Sequence, residues 1–359
     1  TTKGKGYRVA ENNPCDYHGV SSFNINTGIC QSNKENITYS EIFGKTMVKM
    51  GQEDENIAGI TAAMPKGTGL EIFAEEFPDR TYDVGIAEQH AVSLGAGLAR
   101  GDMKPVFAVY STFLQRAFDQ IIHDMCMQNL PVTLSIDRAG IVGKDGETHQ
   151  GVFDLSYLRM IPNLVIMAPK DENELQHMLY TAVNHNGPAA IRYPRGEGYG
   201  IALDDDLQTL PIGQGEMLVE GRDVLIIAIG SRVYPAVKAA EIYNNQISDI
   251  SVGVINARFV KPLDRKLLLS EIKKYDHVIT VEEQVLAGGF GSAVLELINR
   301  NGININLKRL GLPDEFILHG DAKEMRSEYG LDEKGIMNAI KELINNKEKA
   351  GEVWPQKNA

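Results

Sequence analysis

Cysteine and tryptophan are scarce in this 359-residue chain, with three of the first and one of the second. Cys15, Cys30 and Cys126 are odd in number, widely spaced and form no CxxC pair. That argues against a disulfide framework or a cysteine zinc site and fits a reducing, cytoplasmic setting. No metal site is expected within the chain. No run approaches the roughly 18 apolar residues of a membrane-spanning helix, and the opening TTKGKGYRVAENNP lacks the apolar core of a secretory leader. Basic runs are missing too. Against 48 Asp and Glu there are 36 Lys and Arg, for a net charge of −12, so neither nucleic acid nor an anionic membrane is an expected partner. The chain does not begin with Met and opens in what reads as a linker, so the expectation is a piece of a longer protein. What remains is ordinary for a soluble globular chain, 43% hydrophobic and 23% charged, with a length comfortable for two domains.

Residues 1–37 are rich in Gly, Asn, Pro and Ser without sustained periodicity, and read as an extended linker. From there to residue 199 strand-like and helix-like segments alternate. IAGITAA (57–63), KPVFAVYS (104–111), PVTLSID (131–137), NLVIMAP (163–169) and AAIRYP (189–194) are apolar runs of strand length. After KPVFAVYS, a helix capped by Thr112 carries Leu114, Ala117, Phe118, Ile121, Ile122 and Met125 at a 3.6-residue spacing. A polar, Pro- and Gly-bearing stretch at 200–212 separates a second alternating unit, 213–346, and residues 347–359 read as a tail. The fold class is therefore α/β, two consecutive parallel-sheet domains with helices on both faces.

Three stretches stand out chemically. TYDVGIAEQHAVSLGAGLAR (81–100) reads as a short buried strand at 82–86, a turn and a helix rich in small residues. Glu88 lies at the switch between them, where open α/β sheets place ligands. Gly95 and Gly97 each cost a helix about 1 kcal/mol against Ala, so this helix is expected to pack deeply. The plain alternative for Glu88 is service to the helix dipole. RAGIVGKDGETHQG (138–151) is a long polar loop with four glycines, and loops of that kind inside a compact domain are functional or disordered. Asp145 and His149, four apart, are candidates to face a polar substrate. YPRG (193–196) follows a strand directly and sets Arg195 beside Arg192, a plausible phosphate clamp or simply two surface arginines. Gly288, Gly289 and Gly291 only partly match a dinucleotide loop; a tight strand-to-helix turn explains them better.

At GIAEQHAV (85–92), together with YSTFLQRAFDQIIHD (110–124), DRAGIVGKDGETHQGVFDLSYLR (137–159), RYPRG (192–196) and GLPDEFILHG (311–320), the chain resembles the 1-deoxy-D-xylulose-5-phosphate synthases, thiamine-diphosphate enzymes of the transketolase superfamily. The resemblance covers essentially the whole chain but only the last two of the family's three domains. It implies a pyrimidine-binding domain at 38–199 and a transketolase C-terminal domain at 213–346. The GDG-type motif that holds Mg²⁺ and the cofactor's diphosphate is not found here, so the Mg²⁺ ligands are expected in a separate N-terminal domain or chain.

The resemblance also assigns roles. Glu88 would hydrogen-bond the aminopyrimidine of thiamine diphosphate, and Phe113 would stack on that ring with Tyr110 nearby. Arg138 and Arg195, assisted by Tyr110, would grip the phosphate of glyceraldehyde 3-phosphate. Asp145 and His149 would line the pocket for pyruvate and the acceptor, and His18 in YHGVSSF would reach the cofactor. Arg116 is a weaker candidate, since Asp119 or Asp83 offers it a partner. A homodimer or subunit pair is implied as well. Two other readings stand beside this one: the β subunit of a 2-oxo acid dehydrogenase E1 component, and a catalytically silent fragment serving only as a dimerisation module.

Overall fold

The computed structural model describes every residue except 1, 15, 16, 18–21, 30–35, 247–249 and 350–359, so the expectation for His18 lies outside the described residues. Contacts divide the chain into Thr1–Ile37 and Thr38–Ala359. The first unit is more than a bare linker. It has a short helix, Arg8–Asn12, and a cluster of the Tyr7, Tyr17 and Phe23 rings with centroids 5.2–5.7 Å apart.

The second unit holds two sheets. The strands are β1 (Ile57–Thr61), β2 (Thr81–Asp83), β3 (Lys104–Tyr110), β4 (Thr133–Asp137), β5 (Val165–Met167), β6 (Ala189–Arg192), β7 (Glu216–Val219), β8 (Val224–Ala228), β9 (Val252–Asn256), β10 (Phe259–Lys261), β11 (His277–Val285) and β12 (Asn306–Leu312). The seven-stranded sheet runs β10-β5-β6-β4-β3-β1-β2 and the five-stranded one β12-β11-β8-β9-β7. Every residue of β1, β4, β6, β8, β9 and β11 is buried, which requires helices on both faces and explains their near-continuous apolar sequences. Pairing is parallel except at one edge of each sheet, where β10 meets β5 and β7 meets β9 antiparallel. β10 comes from beyond residue 213 yet completes the first sheet.

Helix Tyr39–Glu53 opens with a capping box between Thr38 and Glu41, a T-x-x-E signal written in the sequence but not placed as a helix there. The strand expected at 82–86 is shorter and sits at the sheet edge as β2, only partly buried. The helix after it, Glu88–Arg100, is packed on one side only. A Cβ on Gly95 would lie 3.3 Å from Val132 and 3.5 Å from Ile60, so that glycine does admit a close neighbour. Gly97 faces outward, with nothing within 4 Å of a Cβ placed there.

The helix expected after β3 is wound unevenly. An α turn at Ser111–Leu114 is followed by a 3₁₀ turn at Gln115–Ala117, an α turn at Phe118–Gln120 and a π-helical segment at Ile121–Cys126. Overwinding and underwinding offset each other, so Leu114, Ala117, Ile121 and Met125 are still fully buried. Thr112 does not cap this segment; its hydroxyl donates to the Thr148 carbonyl at 2.8 Å. The glycine turn before helix Phe290–Arg300 closes on protein. The N–H groups of Phe290 and Gly291 donate to the Glu282 carboxylate at 2.6 and 2.7 Å.

Candidate active site

Strands β6, β4 and β3 are neighbours in the first sheet, so their carboxyl ends bring three sequence-distant segments together. Tyr110 ends β3, Asp137 ends β4 with Arg138 next, and Arg195 lies three residues past the end of β6. Asp137 is fully buried. Its carboxylate accepts from the Ser40 hydroxyl at 2.7 Å and from the Arg138 backbone N–H at 2.5 Å. Burial pushes the Asp137 carboxyl up to about 6 against the pull of Arg138 and these hydrogen bonds. Arg138 sits at φ +58°, a left-handed conformation that costs a non-glycine residue about 1 kcal/mol or more. That turn directs its guanidinium back across the sheet edge, 3.7 Å over the Tyr110 ring, with Nη1 donating to the Gly67 carbonyl at 2.9 Å. Burial raises the Tyr110 hydroxyl to about 12, with Arg138 pulling the other way, so Tyr110 remains a neutral hydrogen-bonding group at physiological pH.

Asp145 bridges the two arginines. Its carboxylate lies 3.6 Å from Arg138 Nε and 3.3 Å from Arg195 Nη2. Arg138 Nε is buried and makes no hydrogen bond among the described residues. The fork therefore already surrounds one anion and retains an unmet donor. His149 lies edge-on to Phe113, centroids 5.4 Å apart at 74°, and Phe113 stacks beside Tyr110 at 5.7 Å.

Glu88 opens its helix as a buried carboxylate, 2% exposed. Arg116 Nη1 donates to Glu88 Oε1 at 2.5 Å, while the Arg116 guanidinium lies 4.8 Å from the centre of the Phe113 ring. The expected partners of Arg116 are taken or turned elsewhere: Asp119 meets His123 at 3.0 Å, and Asp83 accepts from the Ala63 and Gly85 N–H groups. Arg116 thus joins Glu88 to Phe113, which the sequence reading did not foresee.

The loop 139–152 is tied to the second sheet. Glu283, at the carboxyl end of β11, accepts from the Ile141 N–H at 2.8 Å, and Val285 N–H donates to the Val152 carbonyl at 3.1 Å. Gln150 accepts from Val142 N–H at 2.8 Å and donates to the Leu318 carbonyl at 2.9 Å, fixing the loop against 311–320.

Glu88, Tyr110, Phe113, Arg138, Asp145, His149 and Arg195 thus fall into two linked groups joined through the Tyr110–Phe113 stack. Arg192 does not belong with Arg195. It is the last residue of β6, 5% exposed, and its Nε donates to the buried Asp154 carboxylate at 2.9 Å. Arg192 still belongs to the buried strand, whereas Arg195 lies beyond it and is half-exposed. Ser40 and Asp137 went unremarked as site residues; the only signal was the acidic residue closing an apolar strand just before Arg138. No group of His, Cys, Asp and Glu able to hold a metal ion occurs among the described residues.

The two consecutive sheets with their flanking helices are those of a transketolase domain pair. A family profile for the transketolase pyrimidine-binding domain matches residues 35–199, and one for the transketolase C-terminal domain matches 213–336. The chain belongs to the transketolase family. Within it, curated relatives named 1-deoxy-D-xylulose-5-phosphate synthase include those of Halothermothrix orenii, 60% identical over 100% of this chain, and Symbiobacterium thermophilum, 56% identical over 96%. The chain spans 56% and 52% of those two relatives, about half their length. Among solved structures, a split-gene transketolase described as an inactive β4 tetramer superposes with a TM-score of 0.77 at 31% identity, covering 85% of this chain and 98% of that one. A Campylobacter jejuni transketolase superposes with a TM-score of 0.71 at 19% identity over 85% of this chain and 46% of that one, a likeness of fold. No helix is long and apolar enough to cross a membrane among the described residues.

Proposed function

We propose that this chain is the pyrimidine-binding and C-terminal part of a thiamine-diphosphate-dependent synthase that condenses pyruvate with glyceraldehyde 3-phosphate to 1-deoxy-D-xylulose 5-phosphate and CO₂. The observation that carries the reading is the Arg138–Asp145–Arg195 fork beside Tyr110, at the end of a short path from Glu88 and Phe113. A buried carboxylate at a helix start and an aromatic ring beside it are what an aminopyrimidine needs for a hydrogen bond and a stack, so the residues fit the cofactor. When bound, thiamine diphosphate supplies the carbon nucleophile and the electron sink for decarboxylation. Glu88, whose Oε1 accepts from Arg116, would hydrogen-bond a ring nitrogen of the pyrimidine. Arg138 and Arg195 bind the acceptor's phosphate and Tyr110 donates its hydroxyl nearby. His149 and Asp145 handle protons and carboxylate contacts at the substrate end.

Mg²⁺ and the diphosphate belong to an N-terminal domain or chain outside this sequence, and a homodimer in the cytoplasm is the expected setting. His18 remains the proposed linker contact to the cofactor. One observation favours a second reading, in which the isolated chain only assembles: its split-gene structural relative is described as inactive. The test is to add the N-terminal half in trans with thiamine diphosphate and Mg²⁺, then assay pyruvate and glyceraldehyde 3-phosphate. Turnover is expected, with Glu88→Gln about 10²–10⁴-fold slower, the usual worth of acid–base participation, and unchanged circular dichroism. Near-normal turnover by Glu88→Gln would remove its role, and a silent mixture would favour the assembly module.

A further inference from the structure

Glu283 lies in the other half of the chain from the phosphate fork, at the carboxyl end of β11, and is 1% exposed. Two guanidiniums, the Ser231 hydroxyl and a backbone N–H converge on it. Arg232 Nε stands 2.9 Å from Oε2 and Arg326 Nε 3.1 Å from both carboxylate oxygens, while the Ile141 N–H donates to Oε1 at 2.8 Å. Arg326 also donates to the Ile141 carbonyl at 3.3 Å, so one residue of the loop is held at both of its backbone groups. Burial alone would raise this carboxyl, but the two guanidiniums and the Ile141 N–H outweigh it and bring it down to about 2. Glu283 is therefore ionised throughout the useful pH range. Gly140, at φ +88°, is what lets the loop come this near: a Cβ there would fall 2.7 Å from Glu283 Oε1.

The next residue along transmits the constraint. Val142 accepts from Arg195 Nη1 at 3.3 Å, and the loop then carries Asp145 into the space between Arg138 and Arg195. We propose that Glu283 is a positioning residue for the phosphate end of the site: by pinning loop 139–152 at Ile141 it sets where Asp145 and Arg195 stand. This rests on the condensation reading for its kinetic consequence, though not for its structural one. The effect should be larger at the phosphate end, because the pinned Ile141 adjoins Val142, which holds Arg195, while His149, which meets Phe113, lies towards the far end of the loop. Displacing a binding group by about 1 Å can cost on the order of 100-fold, and the loss should fall on the phosphate-bearing acceptor.

Two readouts test it. In the chain as it stands, hydrogen–deuterium exchange of Glu283→Gln should accelerate in peptides spanning 139–152 while β1, β3 and β4 keep their protection. In the enzyme completed in trans, the KM for glyceraldehyde 3-phosphate should rise at least about 10-fold with kcat changing less, and the KM for unphosphorylated glyceraldehyde should hold; a shift of about 1 Å accounts for such a loss. Unchanged exchange in 139–152, or equal KM changes for the two acceptors, overturns the proposal. If wild type shows no turnover, the condensation reading fails and exchange alone decides. If Glu283→Gln loses protection everywhere, Gly140→Ala takes its place, since it pushes the loop from Glu283 without stranding two buried arginines. Unchanged exchange or unchanged acceptor KM in a folded Gly140→Ala overturns the proposal equally.

Discussion

Arg192 and Arg195 are three residues apart and chemically identical, yet the structure puts them in opposite settings, and a mutant cycle can test whether their roles differ as proposed. Arg192 is 5% exposed and Asp154 is fully buried. Beyond their 2.9 Å contact, among the described residues Arg192 Nη2 reaches only the Gly151 and Glu283 carbonyls at 3.5 and 3.3 Å, and Asp154 accepts one further bond, from Leu155 N–H at 2.9 Å. Arg192→Met removes a charge-assisted bond and leaves a buried carboxylate with a single backbone partner. Breaking a buried pair in this way costs about 3–5 kcal/mol. Asp154→Asn leaves the guanidinium a neutral acceptor and two long carbonyl contacts, and should cost about 2 kcal/mol, near the value of one hydrogen bond to a charged group. The double variant removes both charges and should be more stable than the sum of the single losses by about 2 kcal/mol, within the range for contacting residues. Urea unfolding followed by far-UV circular dichroism measures all four corners. At a temperature where Arg192→Met stays folded, its KM for glyceraldehyde 3-phosphate should rise far less than that of Arg195→Met, since Arg192 reaches the loop only through long carbonyl contacts. Stability losses below about 1 kcal/mol, as for a surface pair, or additive single losses, would refute the assignment of Arg192 as a buried structural cation. So would a KM rise as large as that of Arg195→Met.

Arg195→Met should do the reverse. Its contact with Asp145 is part-exposed, at 38% and 26% of the side chains, so stability should change by less than about 1 kcal/mol while the KM for the phosphorylated acceptor rises. A stability loss without a KM change would sink the phosphate role. Asp137 supplies a pH signature. Its folded value of about 6 lies above its ordinary 3.8, so the folded chain holds a proton that the unfolded chain gives up. This group's contribution is complete below about pH 4 and is lost as pH rises through 6, an amount of about 3 kcal/mol. Asp137→Asn should flatten that part of the stability–pH curve, and an unaltered slope between pH 4 and 6 would rule the effect out.

Much of this was legible because the chemistry lies in short motifs that each follow a strand. Tyr110 closes, and Arg138 and Arg195 follow, apolar runs that read as parallel strands, and carboxyl ends of neighbouring parallel strands share an edge. The loop bearing Asp145 and His149 declared itself by polarity and glycine content. What stayed hidden was fixed by packing partners far along the chain. Nothing local to Arg116 says that it will pass over Asp119 for Glu88, 28 residues away. Nothing in RYPR tells which arginine will find Asp154, because that depends on where the start of helix Asp154–Arg159 comes to lie once the sheet has formed. The glycines at 95 and 97 look alike in sequence, and only the hundred-degree step around a helix puts one against Val132 and the other outward.

β10 shows the same dependence on distance at the scale of a whole sheet. Phe259–Lys261 pairs with β5, a three-residue strand buried at every position, so during synthesis the first sheet stays unfinished until residue 261 has left the ribosome. Until then β5 presents an apolar edge with open backbone groups, the kind that recruits strands from other molecules. A chain stopped at 199, although it contains every proposed catalytic side chain, would carry that sticky edge permanently and should come out of cells as aggregate. Recombination that exchanges the downstream half must likewise bring its own matching strand, which ties the inheritance of the two halves together.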